Sequence, residues 1–185
     1  AGMPYSRARA VQLVLGGQFF PRYAQMEPID DDYLERHFGD AGGNLYRGLR
    51  TADFSFLGDT STPYEGLYEK HTNEEARDWS DVIDLARAFS LSTDADFPAA
   101  ISSRIDTGEW IRWFALNAVL SNQEGGIHRD TGDDYFMYRP PGGRFILLPW
   151  DMDSTHLEAE ERIFRPSLPA IRRLITHPDH APLYF

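Results

Sequence analysis

Two hydrophobic periods alternate along this chain. Val11-Gln-Leu-Val-Leu15 and the Phe/Tyr-rich stretch Gln18 to Glu27 flank Gly16-Gly17, the pattern of a β-hairpin. Pro28-Ile-Asp30 opens a short helix over Asp31 to Phe38, where three successive Asp residues suit the positive end of a helix. Gly39 and Gly42-Gly43 end it. Asn44 to Arg50 predicts a strand and Thr51 to Pro63 a loop. Thr72-Asn-Glu-Glu75 matches a capping box. It predicts a helix with Trp79, Val82, Ile83, Leu85, Ala86 and Phe89 on one stripe. A polar loop covers 90–98. A second capping box, Asp106-Thr-Gly-Glu109, opens a helix to about Ser121. Trp110, Ile111, Trp113, Phe114, Leu116, Val119 and Leu120 surround that helix, which places it at the centre of a domain. After the polar stretch Asn122 to Asp133, the segments Tyr135 to Arg139 and Arg144 to Pro149 flank Pro140-Pro-Gly-Gly143 and predict a second hairpin. The tail predicts one short helix, about Leu168 to Thr176.

The second hairpin brings candidate chemistry with it. Pairing Arg139 with Arg144 sets Asp134 opposite Pro149 and Asp133 opposite Trp150, with Asp151 at the same end. The central helix finishes just before Asn122 and Glu124. Five oxygen-bearing side chains, Asn122, Glu124, Asp134, Asp151 and Asp153, are thus expected to converge. Such oxygens suit Mg²⁺ or Mn²⁺, and gathered carboxylates repel unless a cation or proton lies between them. Taken singly, each is most simply a solvated loop acid. Asp151-Met-Asp153 differs because it directly follows an apolar strand and Trp150. Trp79, Trp110 and Trp113 read as core; Trp150 suits packing and also adenine stacking.

Charge and composition narrow the classes. The 185 residues carry a formal charge of −11, and no Lys/Arg cluster offers a nucleic-acid footprint. An acidic surface repels nucleotides as well, so any phosphate chemistry here should depend on metal. Cys is absent, which excludes disulfides, zinc–thiolate sites and thiol nucleophiles. Lys70 is the single lysine among 18 basic residues, so Lys-dependent chemistry would have to use it. No apolar run reaches the roughly 18 residues that a membrane span needs, and Val11 to Leu15 is too short for a signal-peptide core.

Taken in order, several motifs resemble the spore coat protein H (CotH) kinase family. They are the hairpin ending in Glu27-Pro-Ile-Asp30, Gly43-Asn-Leu-Tyr46, Tyr68-Glu-Lys-His-Thr72, Trp79-Ser-Asp-Val-Ile83, Asn122-x-Glu124, Asp134-Tyr-Phe-Met-Tyr138 and Leu148-Pro-Trp-Asp-Met-Asp153. The resemblance implies an α+β, protein-kinase-like, two-lobed core: a β-rich part over about 1–70 and a helical part over about 71–185 with the metal-bearing hairpin. The domain is expected to be incomplete at both ends. The resemblance further implies ATP, Mg or Mn, and phosphoryl transfer to Ser/Thr hydroxyls of a protein, such as a coat or surface protein. The implied setting is a spore coat, cell surface or secreted location, without nucleic acid or membrane insertion.

Carried over by position, Asp151 is the metal-binding acid with Asp153 as partner, and Asn122 and Asp134 join the metal. Glu124 stands at the catalytic carboxylate, where the family has Asp. Asp134 stands where the family has Asn. Glu27, Arg47 (where Lys is common), Arg50, Lys70 and Trp150 are the implied nucleotide contacts. His128-Arg-Asp130 spells the ordinary kinase catalytic triplet, which keeps Asp130 as an alternative acid/base. Two other readings stay open on the same acids: a pseudokinase that binds a nucleotide or partner without transfer, and a metal-dependent hydrolase.

Overall fold

A computed structural model describes residues 2–122, 127, 132–155 and 166–185. The chain divides into two compact units, Ala1–Ala41 and Gly42–Phe185.

The first unit is a ribbon and a helix. Strands β1 (Ala8–Leu15) and β2 (Gln18–Met26) pair antiparallel, Arg9 opposite Gln25 and Val11 opposite Tyr23, with a register shift between Val11 and Leu13. Gly16 and Gly17 make the turn at φ 57° and 80°, a region that favours residues without a Cβ. Helix α1 (Asp31–Phe38) has the caps its sequence announces: the Asp30 carboxylate accepts from the Tyr33 amide at 3.2 Å, and Gly39 closes the helix at φ 69°. Glu27 ties the unit together. It accepts from the Arg7 amide (2.8 Å) and from Arg36 Nε (3.1 Å), so one carboxylate joins β1 to α1.

The second unit is built on a four-stranded antiparallel sheet, ordered β4-β3-β5-β6, from β3 (Asn44–Gly48), β4 (Tyr68–Lys70), β5 (Tyr135–Arg139) and β6 (Ile146–Pro149). Alternation sorts its residues onto two faces. One carries Tyr46, Lys70, Tyr135, Met137 and Leu147; the other carries Leu45, Arg47, Glu69, Phe136 and Leu148. Around the sheet run the short α2 (Thr62–Glu65), then α3 (Ser80–Leu91), α4 (Phe97–Ser102), α5 (Thr107–Val119), α6 (Pro169–Thr176) and α7 (Ala181–Tyr184). The Tyr46 face forms the core with them. Tyr46 lies 5.6 Å from Trp79, Phe54 lies 5.6 Å from Trp110 and 5.7 Å from Tyr135, and Trp110 Nε1 donates to the Phe145 carbonyl at 2.9 Å. The molecule is thus α+β, with two antiparallel sheets and helices.

Three sequence expectations need correction. The second hairpin is slipped by one residue: Tyr135, not Asp134, faces Pro149, and Tyr138 faces Ile146. A one-residue slip exchanges the two faces. The observed register sets Leu147 beside Met137 and brings Phe145 within 6.2 Å of Tyr46, burying both with the helices. A turn in which the Gly143 amide bonds the Pro140 carbonyl (2.9 Å) supplies the extra loop length.

The Thr72 capping box caps no helix, because α3 starts at Ser80 and only a 3₁₀ turn spans Glu74–Ala76. Thr72 Oγ1 is used at longer range instead, accepting from the Leu45 amide and donating to the Gly43 carbonyl, both at 2.8 Å. Finally, α5 does open at Asp106, which accepts from the Glu109 amide at 3.0 Å, but it is not buried all round. Arg112, Leu116 (38% exposed) and Val119 (73% exposed) make a solvent-facing strip.

Candidate functional site

The end of the sheet where β5 begins and β6 leaves is where the candidate residues gather. Tyr135–Pro149 is the last pair of the ribbon, so Asp133-Asp134 and Trp150-Asp151 leave its two strands side by side. The backbone there is unusual. Asp134 and Asp151 sit at φ 54° and 50°, and Ser121, at the end of α5, sits at φ 51°. Left-handed backbone is disfavoured for residues with a Cβ and concentrates at functional sites.

Helix α5 reaches this end through a side-chain link. The Asn122 amide nitrogen, Nδ2, lies 2.8 Å from Asn117 Oδ1 and 3.4 Å from Met152 Sδ. Met152 stands between Asp151 and Asp153, so the buried Asn122 touches the acidic segment at its centre. Asp151 and Asp153 are themselves exposed, and Asp134 is half-buried. Ser154 Oγ lies 3.4 Å from Asp153 Oδ1.

Beside this end lies a cation with an open valence. Arg47 pairs with Phe136 across β3–β5, and its guanidinium carbon is 6.0 Å from the Phe136 ring centre. Its Nε atom is buried and has no hydrogen-bond partner among the described residues. Trp150 meets the same Phe136 ring edge-on at 5.2 Å, and His71 lies 5.3 Å from it and pairs with Glu69 at 3.3 Å. The edge-on Trp150–Phe136 ring pair therefore adjoins an arginine donor that no described residue satisfies. An orphaned buried donor is costly, and an anion is what would complete it.

The other expected nucleotide contacts are placed differently. Lys70 is on the opposite face, buried, with Nζ bonded to the Tyr46 hydroxyl (3.1 Å) and the Asp78 carbonyl, and 5.9 Å from the Trp79 ring. Burial pulls its pKa down, against the pull of Asp81 and Asp78. Arg50 is exposed, two residues beyond β3. Glu27 belongs to the first unit; the Arg7 amide, then the Arg36 guanidinium, hold its carboxyl below the ordinary value. Both acid/base candidates, Glu124 and Asp130, lie outside the described residues.

The donor set fits a hard divalent cation in type. Carboxylate and amide oxygens are the right ligands, and a Mg²⁺ that bridges phosphates takes only one or two carboxylates from protein. Among the described residues no cluster of three or more acidic, His or Cys side chains exists.

Two features escaped sequence reasoning. Asn117 is a lone amide in the apolar run Phe114 to Leu120, which was the available signal. Asp81 is a buried carboxylate that accepts from Tyr46 (2.7 Å), Asn44 Nδ2 (2.8 Å) and the Val82 amide (2.8 Å). In the sequence it stands inside the motif Trp79-Ser-Asp-Val-Ile83, but nothing there marks it as buried.

The family model described as CotH kinase protein matches residues 1–181. The inner spore coat protein H of Bacillus subtilis (strain 168) is 30% identical over 138 residues, 72% of this chain and 36% of the relative. The chain thus spans about a third of that relative's length.

Proposed function

The chain belongs to the CotH kinase protein family, and from that premise we propose that it transfers the γ-phosphoryl group of ATP to a Ser or Thr hydroxyl of a protein. The observation that carries this reading is the meeting, at one sheet end, of Asp134, Asp151 and the Met152-bound Asn122 with the unsatisfied Arg47 beside Phe136 and Trp150.

Each residue has a part that follows from its chemistry. Asp151, with Asp153 and Asp134 near it, would hold Mg²⁺ or Mn²⁺, and Asn122 would contribute a neutral oxygen. When bound, the cation would supply charge neutralisation, the largest requirement of phosphoryl transfer. Arg47 donates to a phosphate oxygen, and its planar fork suits that partner. Trp150, set edge-on against the buried Phe136, offers its ring to the base. The acceptor hydroxyl bonds to the γ phosphorus as the bond from that phosphorus to the β–γ bridging oxygen breaks, and its proton passes to Glu124 or Asp130. ADP leaves with the bridging oxygen.

The spore-coat relative supports a setting at a spore coat or another surface. No described helix is long and apolar enough to cross a membrane.

The test is transfer of radiolabelled γ-phosphate from ATP to protein with Mn²⁺ or Mg²⁺, by the wild type and by Asp151→Ala. Metal-dependent transfer that disappears in Asp151→Ala supports the reading. Nucleotide binding without transfer would reduce the protein to a binding module. Phosphoester turnover without ATP would make it a hydrolase.

A further inference from the structure

Helix α5 ends in a closure that joins Asn117 to Asn122 twice. In the backbone, the Asn122 amide donates to the Asn117 carbonyl (3.0 Å) and the Ser121 amide to the Ala118 carbonyl (3.1 Å), with Ser121 left-handed between them. In the side chains, Asn122 Nδ2 donates to Asn117 Oδ1 at 2.8 Å. Asn117 is itself oriented, because its Nδ2 donates to the Trp113 carbonyl one turn earlier at 2.9 Å. The chain of bonds runs from the helix backbone, through one amide, to the next.

This arrangement chooses between the two ends of the Asn122 amide. A carboxamide carries donors on nitrogen and acceptors on oxygen. Asn117 Oδ1 can only accept, so it selects the nitrogen, and Met152 Sδ stands on the same edge at 3.4 Å. Asn117 and Asn122 are 1% and 3% exposed, so bulk water does not compete for either. Without Asn117 the amide has less reason to keep its nitrogen inward, and a metal ligand needs its oxygen outward.

We propose that Asn117 is the positioning residue for Asn122: it holds the amide nitrogen so that the amide oxygen is the atom offered to a divalent cation. The cation half of this rests on the phosphotransfer reading; the orienting half does not. Asn117 touches no reacting atom. Its effect is on metal affinity, as expected of a side chain that orients a ligand.

The full 185-residue chain is tested in two ways: Mn²⁺ affinity with ADP present, from the spin-resonance signal of free Mn²⁺, and hydrogen exchange of the Asn122 side-chain amide by ¹⁵N NMR without metal. Asn117→Leu, near in shape, is expected to speed that exchange and weaken Mn²⁺ binding about tenfold. The Asn117→Leu/Asn122→Ala double variant should bind no more weakly than Asn122→Ala, as for residues acting as a unit. Asn117→Asp keeps the acceptor and should preserve slow exchange; it carries the test should Asn117→Leu not fold.

The proposal is overturned if the two losses multiply, if Asn117→Leu leaves affinity and exchange unchanged, or if Asn117→Asp loses the slow exchange. A wild type that binds no Mn²⁺ with ADP, yet shows slow exchange that Asn117→Leu abolishes, upholds the orienting role and overturns the cation role and the phosphotransfer reading.

Discussion

The sheet of the second unit carries polar groups on both faces, and they have been treated in opposite ways. On the helix-facing side, Asp81, Tyr46, Lys70 and Asn44 satisfy one another at hydrogen-bond distance, and Asp81 and Lys70 are both under a tenth exposed. On the other side and at the open end, Arg47 keeps a buried nitrogen unpaired, the acids are exposed or half-buried, and the backbone is left-handed at Asp134 and Asp151. Similar residue types occur in both places. What separates them is burial and backbone: a closed, buried network stabilises a fold, whereas solvent-reaching acids on left-handed backbone beside the Arg47 Nε donor can meet a ligand.

The largest effect should come from breaking the closed cluster. Asp81→Ala leaves the Tyr46 hydroxyl, the Asn44 amide and the Val82 amide short of an acceptor, and Lys70 short of a nearby opposite charge. It should cost about 3–5 kcal/mol of stability, the range for removing one side of a buried charged network. Urea unfolding measures this, and a loss below 1 kcal/mol would show that water replaces the carboxylate. The open cluster should behave inversely. Asp151→Ala should lower phosphoryl transfer about 10²–10³-fold, as for removal of one transition-state contact. Its melting temperature should barely move, since the side chain is exposed.

Arg47→Ala should weaken ATP binding about tenfold, the size of one lost charged hydrogen bond, with little change in urea midpoint. Equal affinity by calorimetry would remove Arg47 from the site.

High pH sharpens the contrast from another side. Burial raises the pKa values of Tyr33, Tyr46, Tyr68 and Tyr135. The folded state therefore keeps protons that the unfolded state releases above about 10. This contribution is fully present below that pH and is lost as pH rises toward the folded values. Tyrosinate absorbance from these four should appear together with unfolding; their titration near pH 10 in the intact fold would contradict their burial.

The smallest effect concerns Ser121. Ser121→Gly removes a left-handed residue with a Cβ and should stabilise by about 0.5–1 kcal/mol, leaving Mn²⁺ affinity as in the wild type. Destabilisation in a thermal melt would mean that the serine side chain is needed for its own sake.

Much of the local structure was legible in the residues. The Asp30 and Asp106 caps, the Gly16-Gly17 turn and the Gly39 helix end depend on neighbours within a few positions, and all stand where the sequence places them. The α+β class and family motifs were readable for the same reason. Thr72 was misleading because its hydroxyl met partners at Gly43 and Leu45, distant in sequence, before any helix could claim it. That Asp134 and Asp151 leave the same end of one hairpin was legible in the residues. The hairpin's register was not, because two pairings one residue apart share the same alternating pattern.

The sequence by itself therefore determined most of the longer strands and helices, where most caps lie, and that Asp151-Met-Asp153 follows a buried strand. These are consequences of backbone preference and short-range hydrogen bonding. Only the tertiary structure decided that Leu147 pairs with Met137, that Lys70 is consumed by the core while Arg47 is left open, and that Asn117 grips Asn122. Those outcomes depend on which groups lose water together, and burial is a property of the assembled chain rather than of any stretch of it.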